Sequence, residues 1–126
     1  MSGLTLDAGA LIAVERANKN MQALLERVSE HPDALLNVPA GALAQVLRNP
    51  SRQALLMRLL RRRQARVVAL DDATAHAVGL MLALRGGSDV VDASVVVCAR
   101  RYSQPIVTGD LSDLRRLDET VELYLV

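Results

Sequence analysis

The chain has 126 residues and a mass of 13.6 kDa, and 51% of its residues are hydrophobic, which suits one folded domain and leaves no room for a second. Its charged fraction of 23% and mean hydropathy of +0.19 exclude an intrinsically disordered chain, and no charge-free stretch is long enough to cross a bilayer. The single cysteine, Cys98, excludes an internal disulfide, and the first residues show no export signal. We therefore expect a soluble, cytoplasmic protein without a membrane partner.

The hydrophobic pattern and the positions of Pro, Gly and Asp predict strands that alternate with helices. In chain order we expect strand 4–6, helices 8–16 and 19–30, strand 35–38, helices 41–47 and 52–63, strand 66–70, helices 73–85 and 89–101, strand 105–107, helix 112–117 and strand 121–126. Asp71 is placed to cap the helix at 73–85, and Gly86-Gly87 to end it. This alternation predicts one α/β domain over residues 1–126, with a parallel five-stranded sheet sandwiched by helices.

The positive charge is concentrated in one segment, although the net charge is only +1. Between Asp33 and Asp71 there are seven arginines and no acid, so this interval carries +7, and the rest of the chain, with eight basic and fourteen acidic residues, carries −6. We expect the basic segment to be largely helical. An arginine face is often simply solvated, but the guanidinium group also suits phosphates and carboxylates, so a polyanion or an acidic peptide is a candidate partner. The 2% aromatic content argues against binding by base stacking.

Acidic residues follow the predicted strands, at the sheet edge where parallel α/β proteins bind ligands. Asp7 follows the first strand, Asp110 follows the fourth, and Asp89 and Asp92 open the helix at 89–101. Each has an ordinary alternative, because aspartate also caps helices and forms turns. If the sheet folds as expected, however, these carboxylates converge and repel one another. Mg²⁺ or Mn²⁺, which prefer oxygen ligands, would relieve that repulsion.

Other side chains offer no convincing alternative chemistry. Cys98 lies in the middle of an apolar helical segment and is expected to be a packing residue, since no base is evidently placed to form its thiolate. His31 and His76 lack the spacing of a zinc site. The sequence therefore offers no convincing nucleophile pair for covalent catalysis.

Four segments in this order and spacing resemble those of a known family: 4–13 (LTLDAGALIA), 38–46 (VPAGALAQV), 89–96 (DVVDASVV) and 106–114 (IVTGDLSDL). Over its whole length the chain resembles the PIN-domain nucleases, and within them the VapC-type toxin ribonucleases. The resemblance implies that Asp7, Asp92 and Asp110 are catalytic metal ligands. It also implies that Thr108 supports the site with its hydroxyl group. Asp89 is a further candidate ligand.

One position departs from the family pattern. The family usually has a glutamate in the third helix, and the matching residue here is Gln45. Glutamine keeps the length and one oxygen but has no charge, so a cation loses an attractive partner there. Asp89 or Asp113 are candidates to restore the charge, and Gln45 has the ordinary alternative of a polar helix residue.

The resemblance implies an endoribonuclease that hydrolyses RNA phosphodiesters with Mg²⁺ or Mn²⁺. It further implies a toxin that forms a homodimer and is held inactive by a cognate antitoxin protein. Within the basic segment, the candidates for binding RNA or an acidic antitoxin tail are Arg48, Arg52, Arg58 and Arg62.

Two other functions stay open. A PIN-like module that has lost catalysis and retains RNA or protein binding is favoured by Gln45. A phosphoacceptor receiver domain also places acids after parallel strands, but it would resemble its family by a lysine after the last strand. The only lysine here is Lys19, between the first two helices.

Overall fold

Five parallel strands form the centre of the protein in a computed structural model that describes residues 1–126. The strands are β1 (Gly3–Leu6), β2 (Leu35–Pro39), β3 (Ala65–Val68), β4 (Ile106–Thr108) and β5 (Leu123–Leu125). Their order across the sheet is β3-β2-β1-β4-β5, and every neighbouring pair is parallel. The predicted parallel five-stranded sheet is therefore confirmed.

Seven α-helices cover the sheet. They are α1 (Ala8–Glu15), α2 (Lys19–Ser29), α3 (Ala40–Val46), α4 (Ala54–Leu60), α5 (Asp72–Arg85), α6 (Val90–Tyr102) and α7 (Leu111–Leu117). The chain runs outward from β1 through β2 to β3 and then crosses back to β4, on the other side of β1. Connections between parallel strands are right-handed, so a reversal of direction along the sheet also changes the face that the helices cover. Helices α1 to α4 therefore lie on one face and α5 to α7 on the other. The helix contacts largely follow this division, since α1 packs on α2, α3 and α4, whereas α5, α6 and α7 pack on one another. Helix α3 also contacts α6 of the other group. None of the helices has both the length and the apolar character needed to span a membrane.

The central strand β1 is buried on both faces, which explains its short apolar run. Leu4 and Leu6 have no exposed surface, and the neighbouring strands contribute Leu36 and Ile106, which are equally buried. Small and β-branched residues fill α6 from Ala93 to Ala99, so this helix lies close against the sheet. The core therefore holds the carboxyl ends of β1 and β4 in a rigid position.

The basic segment folds differently from the prediction. The helix expected at 52–63 is a 3₁₀ turn at Pro50–Arg52, a break at Gln53 and the short helix α4, so the arginines at 61–63 lie in the turn that follows it. Pro50 starts the 3₁₀ turn because its ring fixes φ. The buried Gln53 side chain then accepts hydrogen bonds from two backbone N–H groups of the preceding loop. The expectation that the basic segment is largely helical is therefore wrong.

Two strands are also shorter than predicted. β3 ends at Val68 rather than at residue 70, and β5 covers Leu123–Leu125 rather than 121–126. Each strand ends where its neighbour offers no further residue to pair with. β3 pairs with the last four residues of β2, and β5 pairs with the three residues of β4. Hydrophobic alternation in a sequence cannot reveal where the partner strand ends.

The polar cluster around Asp118 ties α6 to the end of α7. Asp118 is 2% exposed and accepts a 2.6 Å hydrogen bond from Arg100 Nε and further bonds from the N–H and hydroxyl of Thr120. Burial opposes ionisation of Asp118, but the hydrogen bonds from Thr120 and Arg100 outweigh it and lower the pKa from 3.8 to about 2.

Asp118→Asn is expected to lower the free energy of unfolding by about 1 to 3 kcal/mol at pH 7, because a buried charge-assisted hydrogen-bond network is lost. A carboxyl whose folded pKa is lowered stabilises the protein above its unfolded pKa, so the difference from the wild type should shrink as the pH falls from 3.8 towards about 2. Urea unfolding of both proteins at a series of pH values measures this difference in unfolding free energy. A difference that does not depend on pH would contradict the assignment.

Candidate metal centre

Asp7 lies where β1 ends and α1 begins. Its backbone is extended and its Oδ1 accepts a 2.9 Å hydrogen bond from the Ala10 N–H, so it is the N-cap of α1. The side chain is almost completely buried, with 9% exposed. The cap holds this carboxylate at the carboxyl end of the central strand.

Asp110 lies at the corresponding end of β4, which pairs directly with β1. Thr108, the last residue of β4, accepts a hydrogen bond from the Asp110 N–H and donates one to the Asp110 carbonyl oxygen. Asp110 is exposed and caps α7, since its Oδ1 accepts from the N–H and the hydroxyl of Ser112. Those two hydrogen bonds lower the pKa of Asp110. Asp7 and Asp110 therefore end adjacent strands at the point where the strand order reverses, which is the ligand-binding position in open α/β sheets.

The backbones of α1 and the β4–α7 loop touch at two glycines. A Cβ placed on Gly9 would lie 2.7 Å from the Gly109 nitrogen and 3.0 Å from the Gly109 Cα. No side chain fits at Gly9 unless the backbone moves, because such contacts are too short. This close approach brings the segments that carry Asp7 and Asp110 together.

Three more acids lie at the starts of α6 and α7. Asp89 is exposed and caps α6, accepting a 2.9 Å hydrogen bond from the Asp92 N–H, so the capping role that was its ordinary alternative is present. Asp113 lies in the first turn of α7. Burial, the nearby charges of Asp89 and Asp113, and the charge of Asp7 together raise the pKa of Asp92 to about 6. The acids therefore share one electrostatic environment.

The same environment affects Asp7. Burial raises the pKa of Asp7 and the charge of Asp110 adds to the rise, although hydrogen bonds with the Thr108 hydroxyl and backbone N–H groups act in the opposite direction. No arginine compensates these charges, since the ion pairs of the protein are Arg100 with Asp118 and His76 with Asp72, which lie elsewhere. Uncompensated carboxylates suit a hard divalent cation.

These residues fit such a cation in chemistry, but they do not form a ready ligand set. No group of three or more His, Cys, Asp or Glu side chains is arranged to hold a metal ion. Asp89 and Asp110 each use Oδ1 in a helix cap, and their Oδ2 atoms make no hydrogen bond within the chain. The assignment of Asp7, Asp92, Asp110 and Asp89 as metal ligands therefore stays a prediction.

Gln45 is exposed on α3 and faces a different pocket. This pocket has a volume of about 380 Å³ and contains none of the candidate acids. Its charged lining residues are Arg16, Arg48, Arg52 and Glu15. Arg48 donates 2.8 Å hydrogen bonds to two carbonyl oxygens at the end of α3. Sequence reasoning did not single out Arg16, because it lies far from the other two arginines in the chain and only the packing of α1 on α3 brings it near them.

Arg58 and Arg62 line a second groove, of about 160 Å³, between α1, α2 and α4. Its floor is apolar and is formed by Val14, Met21, Leu25, Leu55 and Leu59. The four candidate arginines therefore belong to two sites of different character. Arg48 and Arg52 belong to a polar pocket, and Arg58 and Arg62 border an apolar groove.

The sequence matches no protein-family model and no curated protein. Its fold is similar to solved structures. A crystal structure of VapBC2 from Rickettsia felis bound to a DNA fragment from its promoter has a TM-score of 0.74 at 13% identity over 98% of both chains. A crystal structure of FitAcB from Neisseria gonorrhoeae has a TM-score of 0.64 at 18% identity over 96% of both chains. A structure of FitAB bound to an IR36 DNA fragment has a TM-score of 0.63 at 16% identity, over 97% of this chain and 94% of that one.

At these identities the likeness is one of fold. The similarity extends over nearly the whole of each chain, so it includes the sheet, both helical layers and the edge where Asp7 and Asp110 lie. The protein is therefore a single α/β domain with the PIN-like fold that the sequence resemblance implies.

Proposed function

We propose that this protein is a Mg²⁺- or Mn²⁺-dependent endoribonuclease, the toxin component of a toxin–antitoxin pair. The observation that carries the proposal is the group of carboxylates without counter-charges at the carboxyl ends of β1 and β4 and the start of α6. Burial and the charges of the neighbouring acids together raise the pKa of Asp92 in this group to about 6. The fold likeness to the VapBC2 and FitAB complexes supports the toxin–antitoxin setting.

In this proposal Asp7, Asp92 and Asp110 are the catalytic carboxylates and would hold the cation, with Asp89 as a further ligand. Thr108 positions the loop that carries Asp110, and Asp113 adds negative charge beside Asp92. A bound divalent cation would activate water for attack on phosphorus and neutralise charge on the phosphate. The protein needs no covalent nucleophile for this reaction.

The substrate and partner contacts follow from the two arginine sites. Arg48 and Arg52, in the polar pocket, would bind the RNA backbone. Arg58 and Arg62, beside the apolar groove, would receive an acidic antitoxin segment, because such a site suits one apolar and one acidic face. We also propose a homodimer and a cytoplasmic location.

The test is cleavage of structured RNA by the purified protein. We expect cleavage with Mg²⁺ or Mn²⁺ and none with a chelator, and restoration when excess cation is added back. Turnover that continues in the chelator would contradict the metal-dependent mechanism.

A catalytically impaired module that binds RNA or protein is the second candidate. Gln45 favours it, because it lacks the charge of the usual glutamate and lies among arginines, and so does the lack of a ready three-ligand arrangement. This candidate predicts RNA binding that weakens with salt and no turnover at any cation concentration.

Gln45→Glu is expected to tighten Mn²⁺ binding by about 10-fold, because the family resemblance places residue 45 at the cation, where a carboxylate attracts more strongly than an amide. Isothermal titration calorimetry measures the affinity. Gln22→Glu, which adds the same charge on α2, serves as the control and should leave the affinity unchanged. Equal affinities for Gln45→Glu and the wild type would show that residue 45 does not act on the cation.

A further inference from the structure

One buried side chain joins the segments that surround the polar pocket. Gln53 is only 5% exposed. Its Oε1 accepts hydrogen bonds of 2.9 and 3.0 Å from the backbone N–H groups of Arg48 and Asn49. Its Nε2 donates hydrogen bonds of 3.0 Å to the Val46 carbonyl oxygen and 3.2 Å to Glu15 Oε2. A single amide therefore connects the end of α3, the loop that follows it and the end of α1.

The arginines of the polar pocket come from these same segments. Arg16 follows the last residue of α1, Arg48 lies in the loop after α3, and Arg52 ends the 3₁₀ turn directly before Gln53. None of the three forms an ion pair, and only Arg48 uses its guanidinium group in hydrogen bonds. The one acid of the lining, Glu15, is bound to Gln53. Three arginines against one glutamate leave the lining with a net charge of +2.

This arrangement suits a phosphate group. Guanidinium groups bind phosphate oxygens through paired hydrogen bonds, and three of them converge on one pocket. Helix α1 relates this pocket to the acids, because Asp7 caps its start and Arg16 follows its end. At 1.5 Å per residue, their Cα atoms lie about 13 Å apart. Since this distance exceeds one nucleotide along a strand, the pocket suits a phosphate other than the one at the acids.

We propose that Gln53 is a positioning residue, which holds Arg16, Arg48 and Arg52 together so that they bind one phosphate group of an RNA strand. The inference rests on the proposed function, because it takes RNA as the substrate. Gln53 itself binds no phosphate, since both acceptor positions of its oxygen and both hydrogens of its nitrogen are already used. Without this amide the loop must be ordered at the expense of binding energy.

RNA binding tests this role when it is measured in a chelator, where no cleavage is expected. The probe is a short single-stranded oligouridylate, and fluorescence anisotropy gives its affinity over a range of salt concentrations. Arg16→Ala is expected to weaken binding by about 10-fold and to reduce the dependence of log affinity on log salt by about 0.7, the value for one phosphate contact on a single strand. Gln53→Met should reduce both quantities to a similar extent, although it changes no charge.

Gln64→Met is the matched control. Gln64 is another buried amide, 8% exposed, whose Nε2 donates to three backbone carbonyl oxygens at the end of α2 and in the following loop. It does not line the polar pocket. Both substitutions should lower stability in urea unfolding, but only Gln53→Met should change the RNA affinity and its salt dependence.

An exchange of two side chains tests the contact with Glu15. Gln53→Glu places a second carboxylate against Glu15 and is expected to weaken RNA binding by about 10-fold, because the two charges repel each other and separate the segments. Glu15→Gln combined with Gln53→Glu restores the net charge of the wild type and a hydrogen bond between the two side chains. This double variant should recover most of the affinity.

Two sources of a phosphate group are compared by titrating the wild type with inorganic pyrophosphate at the same ionic strength. RNA should bind more than about 10-fold more tightly, because a strand also makes contacts outside the pocket. Equal affinities would overturn the assignment to a strand. Wild-type affinity and salt dependence in Gln53→Met, or an exchange variant no better than Gln53→Glu, would overturn the role of Gln53 and leave the proposed function standing. A wild type that binds no RNA would overturn both.

Discussion

Asp7→Asn is expected to reduce metal-dependent RNA cleavage by more than about 100-fold. This loss is larger than the one expected when a residue that only hydrogen-bonds to a metal ligand is substituted. Asp7 is the most buried of the five acids and ends the central strand, so its carboxylate has a fixed position. Asparagine keeps the shape and one oxygen but removes the charge that attracts a cation. Initial rates on one RNA, with both proteins at saturating Mg²⁺, measure the loss.

The same substitution should not destabilise the fold. Asparagine caps a helix as well as aspartate does, so the hydrogen bond to the Ala10 N–H can be kept. Burial raises the pKa of Asp7, which means that its charge destabilises the folded state at neutral pH. Stability of Asp7→Asn should therefore equal or exceed that of the wild type at pH 7, and the difference should shrink in acid as Asp7 becomes protonated.

Added Mg²⁺ should also distinguish the wild type from Asp7→Asn by their thermal stability. A ligand at 100 times its Kd stabilises a folded protein by about 2.7 kcal/mol, so Mg²⁺ should raise the Tm of the wild type and have little effect on Asp7→Asn. Undiminished cleavage by the variant would remove Asp7 from the proposed centre. A loss of cleavage accompanied by unfolding would point to a structural role instead.

Gly9→Ala is expected to destabilise the fold by about 1 to 3 kcal/mol and to reduce cleavage by about 10- to 100-fold, although no carboxylate changes. The added methyl group would lie 2.7 Å from the Gly109 nitrogen and 3.3 Å from Asp7 Oδ1. Relief requires α1 and the β4–α7 loop to separate, which moves Asp7 away from Asp110. Urea unfolding and RNA cleavage assays measure the two effects.

Gly79→Ala is the matched control for this change. Gly79 lies in the interior of α5, and apart from its chain neighbours and the backbone of its own helix no atom is within 4 Å of the position that a Cβ would occupy. Alanine is favoured over glycine in a helix by about 1 kcal/mol, so this variant should gain stability and keep full activity. If Gly9→Ala also gained stability and kept full activity, the close approach of Gly9 and Gly109 would not be needed for stability or for RNA cleavage.

The fold could be predicted from the sequence because its local signals agree with one another. Buried apolar runs as short as that of β1 alternate with helices whose ends are marked by Asp71, Asp89 and Gly86, and the structure contains each of these caps. A parallel sheet then follows, because alternating strands and helices leave few other ways to bury both faces. The candidate acids could be found for the same reason, since residues that end parallel strands meet at one edge.

The basic segment could not be predicted in the same way. Its helical spacing is interrupted by Pro50 and by the buried side chain of Gln53, whose hydrogen bonds to the backbone depend on tertiary packing. The same packing brings Arg16 beside Arg48 and separates both from Arg58. Distance along the chain carried no information about this division.

Local periodicity and residue chemistry are enough to predict the fold class, the helix caps and the set of acids at the strand ends. The burial of Asp7, the like charges near Asp92 and the contact of Gly9 with Gly109 follow only from the packing of the folded chain. The same packing decides which arginines share a pocket and leaves Leu80 and Leu84 exposed. Burial and proximity arise between segments far apart in the chain, and no local pattern encodes them.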